Sequence, residues 1–331
     1  MRLNARVHLM KNWMKILLVM VLVLAFPLSA FADVQVGDIV TMGAYEQDAN
    51  LENGSEPLQW QVLDVDGDRA LLITCYAIDR KPADDNMLAQ KVDPWPKSSI
   101  RTWLNSDFLK TAFTEEEQGI ILVTKHKTEK NPEYGTSGFE SKDKLFYLSL
   151  KEAETYFADD AARRVHPTPY YISLHGVEDP VDLCTFWVLR NYGARYDLYA
   201  TTLPSGELFP FGASYAYVEM SVRPAMWVKA DSISADEPSI HFFHFGTGKL
   251  YWTKSNDVVS YSCTAVDRMT GETAFSASGI VDDFYPVSYE NVGILDITVS
   301  GQNAEGETIC DMACSLFRTS TSDSWTKMAD Q

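Results

Sequence analysis

The chain of 331 residues is short of cysteine, short of positive charge and nearly without long apolar runs. Its five cysteines, Cys75, Cys184, Cys263, Cys310 and Cys314, are scattered. An odd number cannot pair completely within one chain, and this density excludes a disulfide scaffold. No Cys-x-x-Cys or Cys/His spacing suits zinc. Cys310 and Cys314 share one face of an alternating segment, too far apart to bridge each other. One long-range pair, such as Cys263 with Cys310, fits the spacing, and so do buried free thiols, the commoner state. Lys and Arg number 28 against 46 Asp and Glu, a formal charge of −18. Phosphate neutralisation needs clustered basic residues, so neither nucleic acid nor anionic lipid is expected as a partner. Self-repulsion of this size suits a soluble chain.

The one marked apolar run, Ile16 to Phe26, has 11 residues, too few to span a bilayer comfortably. Arg2, Arg6, Lys11 and Lys15 precede it, Pro27 breaks it, and Ala30-Phe31-Ala32 forms a small-x-small site. This predicts a signal peptide over 1–32, cleaved before Asp33, with an uncleaved anchor as the alternative. No Cys follows the run, so a lipoprotein anchor is not expected. Cleavage removes four basic residues and no acidic ones, leaving 24 against 46, or −22. The mature chain is expected to be secreted, extracellular or cell-envelope associated, without membrane insertion.

Along the chain, Asp33 to Tyr45 reads as a strand. Gln59 to Asp64 and Arg69 to Tyr76 flank Asp66-Gly67, a hairpin signal. Asp64, Asp66 and Asp68 do not complete a calcium loop, because Gly67 comes too early. A serine of the Ser98-Ser99 pair should cap a helix carrying Ile100, Trp103 and Leu104 on one face, continued by Phe108, Leu109 and Phe113. Thr114 with Glu117, and Ser149 with Glu152, are capping boxes for two further short helices. Lys125 to Lys144 reads as a charged, mobile loop, and Arg163 to Pro180 as a second loop.

Cys184 to Val228 holds apolar runs ending in Trp187-Val188-Leu189-Arg190 and Ala225-Met226-Trp227-Val228. Between them, turn signals separate strands rich in Tyr and Phe, which predicts a central antiparallel sheet bearing an aromatic surface. Residues 231–240 form a polar linker, 241–318 alternate as a small β-sandwich of Ig-like spacing, and 319–331 read as a disordered tail. The expected class is α+β over 33–230, with two or three short helices, followed by an all-β unit.

Four ordered motifs carry a family resemblance: Ser99-Ile100-Arg101-Thr102-Trp103-Leu104-Asn105, Leu145 to Ser149 with Glu152, Trp187 to Arg190, and Val222 to Trp227. Together they resemble the bacterial secreted module known as domain of unknown function 6273, over roughly Val36 to Val228. Val188 stands where that family has a second Trp, and Asn191-Tyr192-Gly193 replaces Ser-Pro-Gly. The resemblance implies a C-type-lectin-like fold and no particular activity. The lectin calcium motifs Glu-Pro-Asn and Trp-Asn-Asp are missing, and Glu237-Pro238-Ser239 is only a partial match. No cysteine pair of the formylglycine-generating type is recognisable. The resemblance thus implies neither calcium-dependent sugar binding nor that oxidative chemistry.

For a ligand site, Tyr192, Arg195, Tyr196, Asp197, Tyr199 and Phe209 stand out, with Phe211, Tyr215 and Tyr217 nearby. Tyr and Arg supply stiff, amphipathic contact area, although alternation sends half of any strand inward. Trp103, Trp187 and Trp227 read as core. Arg190 and Arg223 adjoin apolar runs and should be partly buried and paired with carboxylates such as Glu152 or Asp107. His241 and His244 cannot chelate one metal from a strand. Ser173, His175 and Glu178 or Asp179 lack the glycine pattern of a nucleophile elbow. No catalytic residue, metal or cofactor is expected. The leading expectation is a binding module for a glycan or cell-surface protein. The alternatives are a carbohydrate hydrolase using Asp79, Asp84 and Asp85, and an architectural envelope protein.

Overall fold

The computed structural model describes residues 34–327 apart from 84–92, 176–183, 213–218, 245–248, 254–256, 288 and 320–324. The expected signal peptide, 1–32, lies outside the described residues, as do Asp84, Asp85, Glu178, Asp179, Tyr215 and Tyr217.

Two five-stranded sheets and several short helices enclose a first core. The first sheet runs β1 (Ile39–Tyr45), β2 (Glu56–Asp66), β3 (Arg69–Thr74), β12 (Ala225–Lys229), β7 (Leu145–Phe146), antiparallel throughout. The second runs β10 (Leu208–Phe209), β9 (Tyr199–Thr202), β8 (Trp187–Tyr192), β11 (Glu219–Val222), β4 (Asp79–Pro82). Asp66 lies opposite Arg69, so Gly67 and Asp68 form the two-residue turn, with Gly67 at φ +64.

The stretch expected to form one central antiparallel sheet is shared between two. β11 pairs parallel with β8, and the chain then crosses to β3 as β12. The crossing falls at Arg223-Pro224, where proline has no N–H to continue a ladder.

Helix α1 (Ser99–Trp103) starts at Ser98, whose Oγ accepts from the Arg101 N–H at 3.3 Å. A π turn, Leu104–Phe108, leads into α2 (Leu109–Ala112). Asn105 in that turn donates to the Arg101 and Leu145 carbonyls and accepts from the N–H groups of Lys144 and Leu145. An inserted side chain of this kind accounts for the irregular turn. Both capping boxes form, at Thr114–Glu117 for α3 (Glu115–Ile120) and Ser149–Glu152 for α4 (Leu150–Tyr156). Short helix α5 (Asp160–Arg163) ends where the expected second loop begins, and α6 (Pro169–His175) occupies part of that loop.

Lys125 to Lys144, read as a loop, is a hairpin of β5 (Thr124–Thr128) and β6 (Phe139–Asp143). Its inward face is polar: His126, Thr128, Ser141 and Asp143 are buried. A strand whose buried side chains are polar gives no apolar alternation to recognise. Trp187 and Trp227 are buried as expected, while Trp103 is half-buried, its ring 5.1 Å from Phe108 and beneath the Lys81 ammonium. Each fully buried indole withdraws about 200 Å² from water, worth on the order of 5 kcal/mol before entropy is counted.

A second core joins a three-stranded sheet, β13 (Ile240–His244), β14 (Lys249–Trp252) and β17 (Phe284–Pro286), to a five-stranded one. The latter runs β16 (Thr273–Ile280), β15 (Ser260–Asp267), β18 (Gly293–Gln302), β19 (Thr308–Arg318), β20 (Thr326–Lys327). Trp325 is buried in this core and Thr326–Lys327 pairs with β19, inside the segment read as a disordered tail. All five cysteines are free thiols. The connection at 231–240 is tied to β1, because Asp236 N–H donates to the Ile39 carbonyl and Thr41 Oγ1 to the Asp236 carboxylate. The rings of Tyr251 and Phe284 also lie 5.2 and 5.6 Å from His166, so the two cores meet in an aromatic seam. Among the described residues no helix is long and apolar enough to cross a membrane.

Candidate binding surface

Where β8 ends, its side chains lead from the core to the surface. Tyr199 stacks on Tyr192 at 5.8 Å, and Tyr192 meets the edge of Tyr196 at 5.0 Å. Tyr199 and Tyr192 are buried, so two of the six expected ligand residues face inward as strand alternation requires. Tyr196 is half-buried and Phe209 likewise, while Phe211 is 43% exposed. Arg195 and Asp197 form a two-point ion pair at 2.9 and 2.7 Å, with 56% and 21% of their side chains exposed. Such a surface pair adds little stability, but its planar fork is fixed in direction.

The turn holding this fork is strapped to Phe211. Ala194 N–H donates to the Phe211 carbonyl at 2.8 Å, and Gly193 N–H to Leu198. A Cβ on Gly193 would sit 2.3 Å from the Phe211 oxygen, so only glycine fits this approach.

The opposite wall comes from the β5–β6 connection, residues 129–138. Asn131 is 1% exposed. Its amide donates to the carbonyls of Tyr192 and Pro210 at 2.9 and 2.8 Å, and its Oδ1 accepts from the N–H groups of Glu133 and Tyr134. Thr136 Oγ1 donates to the Gly193 carbonyl, and Ser137 Oγ lies 3.1 Å from the Tyr196 hydroxyl. These bonds carry Tyr134, 44% exposed, onto Phe211 in an edge-on contact of 5.6 Å. Phe209 follows at 5.9 Å. The result is an aromatic shelf of Tyr134, Phe211 and Phe209, whose backbone at Phe211 is bonded to the turn that carries Arg195 and Asp197. Sequence reading missed Asn131, Tyr134, Thr136 and Ser137. The signal available was Asn131-Pro132, an Asn–Pro pair of the kind that initiates a side-chain-closed turn.

Arg190 is fully buried and satisfied on every side. Its guanidinium donates to Thr128 Oγ1, the Tyr147 carbonyl and Glu152 Oε1, and lies 2.5 Å from Glu152 Oε2. Burial pushes the Glu152 carboxyl up, but the Arg190 charge and hydrogen bonds outweigh it and hold it below its ordinary value. His126 beside them is driven down to about 4, first by burial and then by Arg190. Arg223 corrects the expectation of a carboxylate partner. Among the described residues it donates only to the carbonyls of Thr74 and Arg163 and lies between the rings of Trp187 and Phe157. Burial lowers its pKa to about 10. Asp107, the other suggested partner, is exposed on the π turn.

Among the described residues the remaining candidates do not assemble into reacting groups. Asp79 is buried, accepting from the Tyr45 hydroxyl and the Arg80 N–H with Lys81 at 3.2 Å. Ser173 Oγ donates to the Tyr170 carbonyl. Cys184 is fully buried, its sulfur 3.7 and 3.8 Å from the two His166 ring nitrogens, a placement over the ring and not along one N–H. The backbone of His241 and His244 is strand. Glu46, Asp48 and Glu56, not singled out in the sequence, bring their carboxylates within 4.8 Å of one another. Burial and then Glu56 and Asp48 push the Glu46 carboxyl up.

Residues 67–230 match the family model described as domain of unknown function (DUF6273), which assigns this segment to the family that the four motifs resemble. The match covers the shelf and all four motifs but not β1 or β2. No curated protein matches the chain.

Proposed function

We propose that the chain is a secreted, non-enzymatic binding module that recognises a glycan at a cell surface through the shelf of Tyr134, Tyr196, Phe209 and Phe211. The observation that carries this reading is the strapping of two exposed aromatic rings by buried Asn131. Rings held in place before the ligand arrives lose little entropy on binding. Aromatic faces suit sugars, which present an apolar face and a rim of hydroxyls. In this reading residues 33–230 are a C-type-lectin-like domain that works without calcium. Residues 241–318 are an Ig-like sandwich serving as a spacer or second adhesion module, with the helix-then-sheet layout and the two-sheet second core as support. Secretion rests on the signal-peptide pattern of residues 1–32.

The test is an array of glycans and mucins probed with the chain from Asp33 to Gln331, with and without EDTA. Saturable binding in both conditions is expected. Binding only to proteins would move the reading to a cell-surface protein partner, and binding to neither would favour an architectural role. A hydrolase would instead release products, and Asp84→Asn or Asp85→Asn would abolish turnover.

A further inference from the structure

We infer that a cleft on the second core docks an extended basic segment of a partner polypeptide, with Lys and Arg heads on Glu237, Asp257, Glu305 and Asp311 and an apolar side chain on Val259 and Ile309. The cleft shares no residue with the shelf, and the inference does not depend on the glycan reading.

The cleft encloses about 740 Å³. Four separate segments wall it: the 231–240 connection with Glu237, the approach to β15 with Asp257 and Val259, the β18–β19 turn with Glu305, and β19 with Ile309 and Asp311. Two of these walls are held by hydrogen bonds. On one side of Glu237 the Asp236 N–H donates to the Ile39 carbonyl. On the other, Ser239 N–H donates to Thr253 Oγ1 and Thr253 N–H to the Ser239 carbonyl. Asn303 closes the β18–β19 turn, its Oδ1 accepting from the Glu305 and Glu307 N–H groups and its amide donating to the Glu307 carboxylate.

Charge selects the occupant. Among the described residues none of the four carboxylates has an ion pair or hydrogen bond, and no described lining residue is Lys, Arg or His. In the same core Asp296 is held by Arg268, so the cleft differs in leaving its cations for a partner to bring. A single metal ion does not suit it. Among the described residues only Glu46, Asp48 and Glu56 bring three possible ligands within 4.8 Å of one another. The cleft carboxylates are instead spread over its walls, which suits several cationic heads at intervals. Val259 and Ile309 add exposed apolar side chains to the same cleft. The methylene stems of Lys and Arg cover such surface while their heads reach the carboxylates. A polypeptide supplies both the spaced charges and a branched apolar side chain between them, where a polyamine supplies only charges on a thin stem. The net charge of −18 adds attraction at long range.

The experiment follows the fluorescein-labelled peptide Lys-Leu-Lys-Val-Arg-Leu-Lys by fluorescence anisotropy as the chain from Asp33 to Gln331 is added. The same peptide with Glu at every basic position, and spermidine as a competitor, are the comparisons. Saturable, one-to-one binding of the basic peptide is expected in about 0.01 M salt. It should weaken about tenfold or more in about 1 M salt, where the screening length falls from about 30 to 3 Å. Glu305→Gln/Asp311→Asn should weaken it about tenfold or more, and Ile309→Ser roughly three- to tenfold. Glu115→Gln/Glu116→Gln, which removes the same charge from exposed positions on α3, should change it less than about twofold. Glu305, Ile309 and Asp311 are exposed, so unchanged melting temperatures separate lost binding from misfolding. Absence of saturable binding, equal loss in the two double variants, equal binding of the acidic peptide, or displacement by an equimolar amount of spermidine would each overturn the inference. None of these outcomes bears on the glycan reading, which the array tests separately.

Discussion

Replacing Glu152 with Gln tests how the first core tolerates a buried guanidinium. The substitution keeps the shape of the side chain and one oxygen for the Ser149 N–H, which Glu152 Oε2 now accepts at 2.7 Å. It removes the only carboxylate that faces Arg190 within ion-pair distance among the described residues. Two unit charges about 4 Å apart attract by roughly 4 kcal/mol at an effective dielectric of 20. Breaking one partner of a buried pair costs about 3 to 5 kcal/mol. Glu152 keeps 25% of its side chain exposed, so the lower end of that range, about 3 kcal/mol, is expected. Urea unfolding followed by tryptophan fluorescence should show a lower midpoint for the first core at unchanged slope. The matching melting shift is roughly 6 to 12 °C. The double variant Glu152→Leu/Arg190→Met should lose less than Glu152→Gln alone, since no uncompensated charge stays behind. A loss below about 1 kcal/mol for Glu152→Gln would refute the reasoning that this carboxylate is what offsets burial of Arg190.

Acid should weaken the same region in a defined window. His126 titrates at about 4 in the fold and near 6.5 when unfolded, so the unfolded chain takes up its proton first. Stability from the neutral ring is therefore complete above about pH 6.5 and falls towards pH 4, by about 1.4 kcal/mol per unit. Arg190, Glu152 and Asp143 surround the ring; Glu152, held below its ordinary value, loses its contribution in the same direction at lower pH. His126→Gln should flatten the slope between pH 6.5 and 4, measured as urea midpoints across that range. Gly206→Ala should be severely destabilising, because the residue sits at φ +87 and a Cβ would overlap the Asp160 carbonyl; a melting temperature within 2 °C of wild type would contradict this by any ordinary scale. Asn131→Ala should speed hydrogen exchange at Gly193 and Ala194 and leave β2 and β3 protected.

Much of the scaffold was legible because local chemistry dictated it. Ser98, Thr114 with Glu117 and Ser149 with Glu152 satisfy N–H groups that every helix start leaves open, and Asp66-Gly67 supplies the positive φ of a tight turn. The Arg190–Glu152 pair followed from the cost of leaving a buried charge alone. Arg223 escaped the same argument because carbonyls and two aromatic faces take the place of a carboxylate. The β5–β6 hairpin was hidden by its polar interior, and the β20 segment by having a single anchor, Trp325. In the candidate site, alternation foretold that some tyrosines would turn inward but not that Tyr192 and Tyr199 would be the ones. Tyr134 reaches Phe211 only through the four bonds of Asn131, a contact between segments some 80 positions apart that no local pattern encodes.

The most direct test of the account is glycan binding by wild type and by Tyr134→Ala/Phe211→Ala, compared in the presence and absence of EDTA. Saturable wild-type binding that ignores EDTA and disappears in the double variant, at unchanged melting temperature, is the predicted result. Binding that survives loss of both rings, or that vanishes with EDTA, would contradict metal-free recognition by the shelf and point to the carboxylates of Glu46, Asp48 and Glu56.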